Sequence, residues 1–233
     1  MSGRKGYGQF CPVAKGAEIF AERWTPLVRR ELLMGSHRFN DLRRGLPKIS
    51  QSVLSHRLKE LEWAGIVKRR PLDSGNGWEY HLTPSGEELR PVVEQLGVWA
   101  YRWFQVEISE DELDAGLLML DMRRGIDPEK LPGRRVVVHF YFPDAGQAMR
   151  RWWLVFDQGE VDLCQRDPGF PIDISLETPL LTMTRIWMGD LDFQTAVKKG
   201  EMQIEGPRQM VKQLPGWIGM SLFGGEERQT KAG

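Results

Sequence analysis

The stretch from Arg38 to Leu82 constrains the fold of this chain more than any other. A short helical segment, Arg38-Phe39-Asn40-Asp41-Leu42-Arg43-Arg44, is closed by Gly45-Leu46-Pro47, where glycine and proline punctuate the backbone. A second helix begins directly afterwards. Ser50 is a good N-cap for it, and Val53, Leu54, Leu58 and Leu61 form one apolar stripe that stops at Gly65. Ile66–Arg70 and Trp78–Leu82 then read as two strands, joined by a loop whose Asp73, Ser74, Gly75, Asn76 and Gly77 suit a hairpin.

A helix that ends in a tight turn and hands over to a polar-faced helix is the helix-turn-helix arrangement, in which the second helix enters the major groove of DNA. The residue types fit that task. Opposite the apolar stripe, Gln51, Ser52, Ser55, His56 and Lys59 present amide, hydroxyl, imidazole and ammonium groups, and Gln can pair bidentately with adenine. Around them Arg38, Arg43, Arg44, Lys48, Lys68, Arg69 and Arg70 supply the cationic density that neutralises phosphates, which gives affinity without sequence choice. Ser50 completes the expected DNA-binding set. A surface helix with a merely solvated outer face is the bland reading of residues 50–64, but the order helix, turn, helix and basic hairpin outweighs it.

Charge divides the chain in the same place. Residues 1–104 carry 17 Lys and Arg against 11 Asp and Glu, and the remainder carries 15 against 21, so a net charge of zero hides halves of +6 and −6. A basic half suits a polyanion and an acidic half repels one. The basic half opens with a helix over Val13–Glu22. Thr25 is expected to cap a second helix that has Pro26 in its first turn and runs to Met34. Thr83-Pro84 repeats the device and predicts one long helix to about Phe104, apolar enough along Leu89, Val92, Val93, Leu96, Val98, Trp99 and Trp103 to require a partner. We expect a DNA-binding and dimerisation domain over 1–106, a helical linker over 107–133, and a second domain over 134–225.

In the second half Arg135–Phe142, Arg150–Phe156 and Glu160–Gln165 read as successive strands, the last two joined at Asp157-Gln158-Gly159. Asp173–Leu176 and Met202–Ile204 add further strands, and helices are expected near Leu180–Met188, Phe193–Lys199 and Gln209–Trp217. Trp152, Leu154, Phe156, Met183, Trp187, Met188 and Trp217, with Leu180 and Met220 beside them, are candidate lining for an apolar ligand site, since Met reshapes readily around differing ligands. Ordinary core is the plainer reading of the same residues.

Cys11-Pro12-Val13, Arg23-Trp24-Thr25, Arg38-Phe39-Asn40-Asp41-Leu42-Arg43, Ile49-Ser50-Gln51, Leu54-Ser55-His56-Arg57-Leu58-Lys59-Glu60-Leu61 and Tyr80-His81-Leu82-Thr83-Pro84-Ser85-Gly86 together resemble the HxlR-type family of bacterial regulators over residues 11–103. The resemblance implies a winged-helix homodimer on double-stranded DNA, joined through the helix around 86–104, with two recognition helices on a near-palindromic operator. Some members of that family sense oxidants through an N-terminal cysteine, and Cys11 stands at that position; a packing role beside Pro12 is the plainer reading. Residues 134–217, above all Trp187-Met188-Gly189-Asp190-Leu191 through Ile204-Glu205-Gly206, resemble the sterol-carrier-protein type of domain. That resemblance implies an α/β layer enclosing an apolar tunnel for a lipid-like ligand. The fold class expected is therefore α+β, a winged helix-turn-helix domain followed by an α/β sterol-carrier-like domain.

Other classes are disfavoured. No Gly-rich phosphate loop, nucleophile elbow or HExxH is present, so an enzyme is not expected. Two cysteines and four scattered histidines lack metal-site spacing, and neither a metal nor a cofactor is expected. No apolar run reaches the roughly 18 residues of a membrane span, and the N-terminal stretch with Arg4 and Lys5 lacks a secretory signal's apolar segment, so the cytoplasm is the expected location. Two alternatives stay open: a thiol-based repressor acting through Cys11, and a lipid-binding carrier module without coupling to DNA.

Overall fold

Proline opens the first two helices, where its missing N–H costs nothing and its fixed φ is already helical. α1 (Pro12–Phe20) and α2 (Thr25–Leu33) are followed by α3 (Phe39–Gly45), α4 (Gln51–Trp63), the antiparallel pair β1 (Val67–Pro71) and β2 (Trp78–Leu82), and α5 (Pro84–Glu87). The structure is a computed structural model and describes residues 6–72, 75, 77–104 and 108–229. It forms two compact units, Met1–Gly97 and Val98–Gly233, and α6 (Arg90–Trp103) runs across the division. Arg4, Lys5, the loop residues Asp73, Ser74 and Asn76, and the expected boundary at 106/107 lie outside the described residues.

The first unit is a winged helix-turn-helix. Leu54, Leu58 and Leu61 of α4 are buried with Val28 and Leu32 of α2, Leu42 of α3 and Val67 of β1, so the apolar stripe of α4 faces the core. Two local expectations are corrected. Trp24, not Thr25, occupies the N-cap of α2, in the left-handed region at φ 75°, while Thr25 is buried and already helical. That conformation costs a non-glycine residue about 1–2 kcal/mol, so surrounding contacts dictate it and a local capping preference does not. The helix after Thr83 is also discontinuous. Pro91 brings no N–H for the Glu87 carbonyl, so α5 ends there and α6 starts afresh, with the Val92 and Val93 amides both directed to the Leu89 carbonyl at 3.1 and 3.3 Å.

The second unit is built on five strands, β3 (Val136–Tyr141), β4 (Arg151–Asp157), β5 (Glu160–Cys164), β6 (Ile174–Glu177) and β7 (Gln203–Glu205), in the spatial order β5-β4-β3-β6-β7. β6 pairs parallel to β3 and every other pair is antiparallel, so the chain crosses the sheet between β5 and β6. β4 and β5 are joined by Gln158 and Gly159, both at positive φ (51° and 83°), the backbone of a two-residue primed turn whose twist matches that of the strands.

Strand alternation then divides the side chains between two faces. Trp152, Leu154 and Phe156 enter a core with α7 (Ala115–Arg124), α8 (Leu180–Trp187), α9 (Phe193–Lys198) and α10 (Arg208–Ile218). Trp153 and Val155 pack with Val137 on the opposite face. α7 starts at an Asp114 cap that accepts the Leu117 amide at 2.9 Å, and its Ala115, Leu118, Met119 and Met122 belong to the main core of this unit. Among the described residues no helix is long and apolar enough to cross a membrane.

Candidate functional site

Polar contacts beneath α4 tie the helices of this unit together, although Arg29 Nε and Nη1 are buried without a hydrogen-bond partner among the described residues. Arg30 Nη2 donates to the Glu31 carboxylate at 2.7 Å and to the Gly45 carbonyl at 3.1 Å, which ties α2 to the turn that precedes α4. A Cβ at Gly45 would collide with that Glu31 carboxylate, so the turn requires glycine for space. The fully buried Arg29 donates from Nη2 to the Gly86 carbonyl at 2.5 Å. Its desolvation pulls the guanidinium pKa down to about 10, opposed by nearby Glu87. At the start of α4 the Ser50 hydroxyl accepts the Val53 amide at 3.3 Å, the expected cap.

Held this way, α4 exposes Gln51, Ser52, His56 and Lys59, with Ser55 half-buried. Arg38, Arg43, Arg44, Lys48, Ser50, Arg69 and Arg70 are exposed as well. Several of these cations rest in surface ion pairs: Arg38 with Glu79 at 3.5 Å, Arg44 with Asp41 at 3.7 Å, and Arg69 with Glu62 at 3.7 Å. Such pairs are worth about 0–1 kcal/mol, so phosphate oxygens can compete for them. His56 likewise lies 3.3 Å from Glu60. Arg43, Lys59 and Arg70 have no ion pair among the described residues.

Sequence alone could not sort the basic residues of this unit into outward and inward roles. Arg29, Arg30 and Arg57 are structural, Arg57 bridging Glu22 at 3.1 Å and Glu60 within its own helix. The wing is braced through aromatic and histidine contacts. His37 stacks on His81 with centroids 4.3 Å apart, and the Arg69 guanidinium lies 4.1 Å above the Trp78 ring. The Tyr80 amide donates to the His37 carbonyl at 2.8 Å, and an isolated bridge joins Arg38 to Glu79, so the approach to α3 lies against β2. Hydrogen bonding from His81, then Arg38, holds the Glu79 carboxyl below its usual range.

The apolar candidates in the second unit have a different setting. Trp152, Leu154, Phe156, Met183, Trp187 and Trp217 are all buried in one core cluster, with Met188 packed against it. Of the seven, Trp217 borders a cavity of about 350 Å³ between Arg134, Val136 and Met210. A larger cavity of about 620 Å³ is lined by none of these seven but by Leu180 of the wider apolar set, and lies among Glu110, Leu113, Asp114, Asp144, Met149 and Leu181. In the sequence this wall falls within the helical linker expected over 107–133, acidic over 107–114, and the one signal that could have marked it is Asp114 as a helix cap. Cys11 is the partly exposed N-cap residue of α1 and is not disulfide-bonded.

Residues 19–149 match the family model described as HxlR-like helix-turn-helix, and residues 127–218 match the SCP-2 sterol transfer family. The two matches overlap at 127–149, where β3 pairs within the five-stranded sheet, so the overlap lies structurally in the second unit. The chain is 40% identical over 97 residues to the uncharacterized HTH-type transcriptional regulator YvaP of Bacillus subtilis, an alignment covering 41% of this chain and 90% of that protein. It is 36% identical over 92 residues to the HTH-type transcriptional regulator YodB of the same organism, covering 39% and 82%. Among solved structures, the oxidized form of the redox regulator HypR aligns with a TM-score of 0.39 and 34% identity, over 41% of this chain and 100% of that one. The reduced form of YodB from B. subtilis aligns with a TM-score of 0.37 and 33% identity, over 44% and 100%.

Proposed function

The chain belongs to the HxlR-like helix-turn-helix family, and from that premise we propose that it is a homodimeric transcription regulator that grips a near-palindromic operator with two copies of α4 and answers to an apolar effector in its second domain. The observation that carries the reading is the outer face of α4, where Gln51, Ser52, His56 and Lys59 are exposed over a packed core, beside Arg43, which has no ion pair among the described residues. Gln51 and Ser55 would read base edges, and Arg43, Lys48, Lys59, Arg69 and Arg70 would neutralise phosphates.

Dimerisation is supported by α6. Val92, Leu96, Trp99 and Trp103 recur at alternating four- and three-residue spacing along it and are each more than 40% exposed, the pattern of a helix seam that buries itself against a second copy. An effector role for the second domain is supported by its match to the SCP-2 sterol transfer family and by a cavity of about 620 Å³, within the usual size of small-molecule sites. The core position of Trp152, Leu154 and Phe156 moves the proposed ligand seat away from those residues and toward that cavity.

Linkage supplies the test. An effector that weakens operator binding must itself bind less tightly to the operator complex, by the same factor. Operator affinity measured with and without effector, and effector affinity measured with and without operator, should shift equally. An operator affinity unmoved by a bound ligand would leave a DNA-binding protein with an uncoupled carrier domain.

A further inference from the structure

The larger cavity of the second unit has a charge pattern that selects its ligand. Its walls are apolar where Leu113, Met149 and Leu180 meet, and Leu181, an apolar side chain 38% exposed, stands at its edge. Three carboxylates, Glu110, Asp114 and Asp144, line it, and among the described residues no Lys, Arg or His does. Two helices also begin there, and a helix N-terminus ordinarily attracts anions.

Both helix ends are already occupied from within the chain. Asp114 accepts the Leu117 amide at the start of α7 at 2.9 Å, and Asp144 accepts the Leu180 amide at the start of α8 at 2.9 and 3.1 Å. Each helix end is worth roughly half a positive charge, and the Arg150 guanidinium donates to the Ala145 carbonyl of the wall at 2.8 Å, so three carboxylates against two ends and one guanidinium leave the cavity near −1. A fatty-acid carboxylate or a phosphate headgroup would be repelled there. Glu110 makes no ion pair among the described residues and is exposed, so it is available to a ligand.

Gly116 and Met149 show how the apolar end is closed. Met149 lines the cavity and is packed against the main core, and a Cβ on Gly116 would stand 2.9 Å from its Cε and 3.7 Å from the Trp152 ring. The Met149 thioether, which accepts from Gln165 Nε2 at 2.9 Å, gives that end a polarisable, adaptable wall for an alkyl chain.

We propose that this cavity binds a hydrophobic cation, an alkylamine or quaternary ammonium amphiphile, with its charge beside Glu110 and Asp144 and its chain against Leu180 and Met149. The proposal rests on the reading of the second domain as an effector domain and adds the effector's chemical class.

The test uses the full-length protein and three probes of one chain length: dodecyltrimethylammonium, dodecanol and dodecanoate, each below its micelle concentration. Binding is read by calorimetry, with circular dichroism confirming the fold. The cation should bind at least tenfold more tightly than dodecanoate, with dodecanol between them. Glu110→Gln should weaken the cation about threefold and leave dodecanol unchanged, and Glu110→Lys should raise dodecanoate above the cation. Dodecanoate equalling or exceeding the cation in the unsubstituted protein would overturn the charge selection while leaving an apolar effector site in place. A preference for the cation that Glu110→Lys does not move would place the cation elsewhere and equally overturn it. Binding of none of the three would remove the effector reading together with the proposal.

Discussion

α4 in the first unit and β4 in the second make opposite uses of their side chains. On α4 the candidate functional residues are those the core rejects: Gln51, Ser52, His56 and Lys59 point outward because burying them without partners would cost several kcal/mol each. On β4 the candidates Trp152, Leu154 and Phe156 are those the core accepts, and they are buried in it. A polar face on an amphipathic helix therefore announces a surface, whereas an apolar strand cannot distinguish a ligand tunnel from packing, since both need the same residues.

The sharpest way to break this contrast is to truncate a residue on each side of it. Phe156→Ala should destabilise the second unit by about 3–5 kcal/mol, measured by urea unfolding, because it empties a fully buried site. A stable variant with altered ligand affinity would return Phe156 to a binding wall. The combined replacement of Arg43, Gln51 and Lys59 by alanine should leave thermal unfolding unchanged within about 0.5 kcal/mol each. The same variant should weaken operator binding about 100-fold and reduce its salt slope by about 2. Unaltered binding would mean that α4 is a solvated surface helix.

Ser50→Ala removes the α4 cap and should cost about 1 kcal/mol in stability, a loss that Ser50→Asp should largely recover. A smaller effect is expected at His139, whose pKa burial, and then Arg151, push below the usual value. The unfolded chain takes up that proton first, so stability is unaffected above about pH 6.5 and falls as the pH drops below it. His139→Gln should flatten the unfolding midpoint between pH 7 and 5 relative to the unsubstituted protein; an identical pH dependence would exclude His139 as a source. Least of all, alkylating Cys11 should change operator affinity by less than about twofold. A larger change would favour the thiol-based alternative.

The elements from Arg38 to Leu82 were legible because turn residues, a cap and an apolar stripe all agreed, and local agreement of that kind leaves little for tertiary structure to decide. Illegible features were those set by distant contacts. Trp24 takes the α2 cap in a conformation that no local preference supplies, and Arg29 and Arg57 look like any other basic residues until their partners are known. Pro91 was visible and marks the break after α5, but the Thr83-Pro84 start and the apolar run behind it masked the interruption. In the second unit the strands were readable from alternation and the Gln158-Gly159 turn. The parallel β3–β6 pairing and the acidic cavity were not, because both join residues distant in sequence.

Operator recognition by α4 is tested most directly by selecting bound duplexes from a random pool and titrating the best one with the full-length protein at several salt concentrations. A winged-helix regulator should give saturable binding that discriminates against scrambled duplex, with log affinity falling linearly in log salt at about 0.9 per phosphate neutralised. Enrichment of no sequence, together with no duplex binding at low salt, would contradict it.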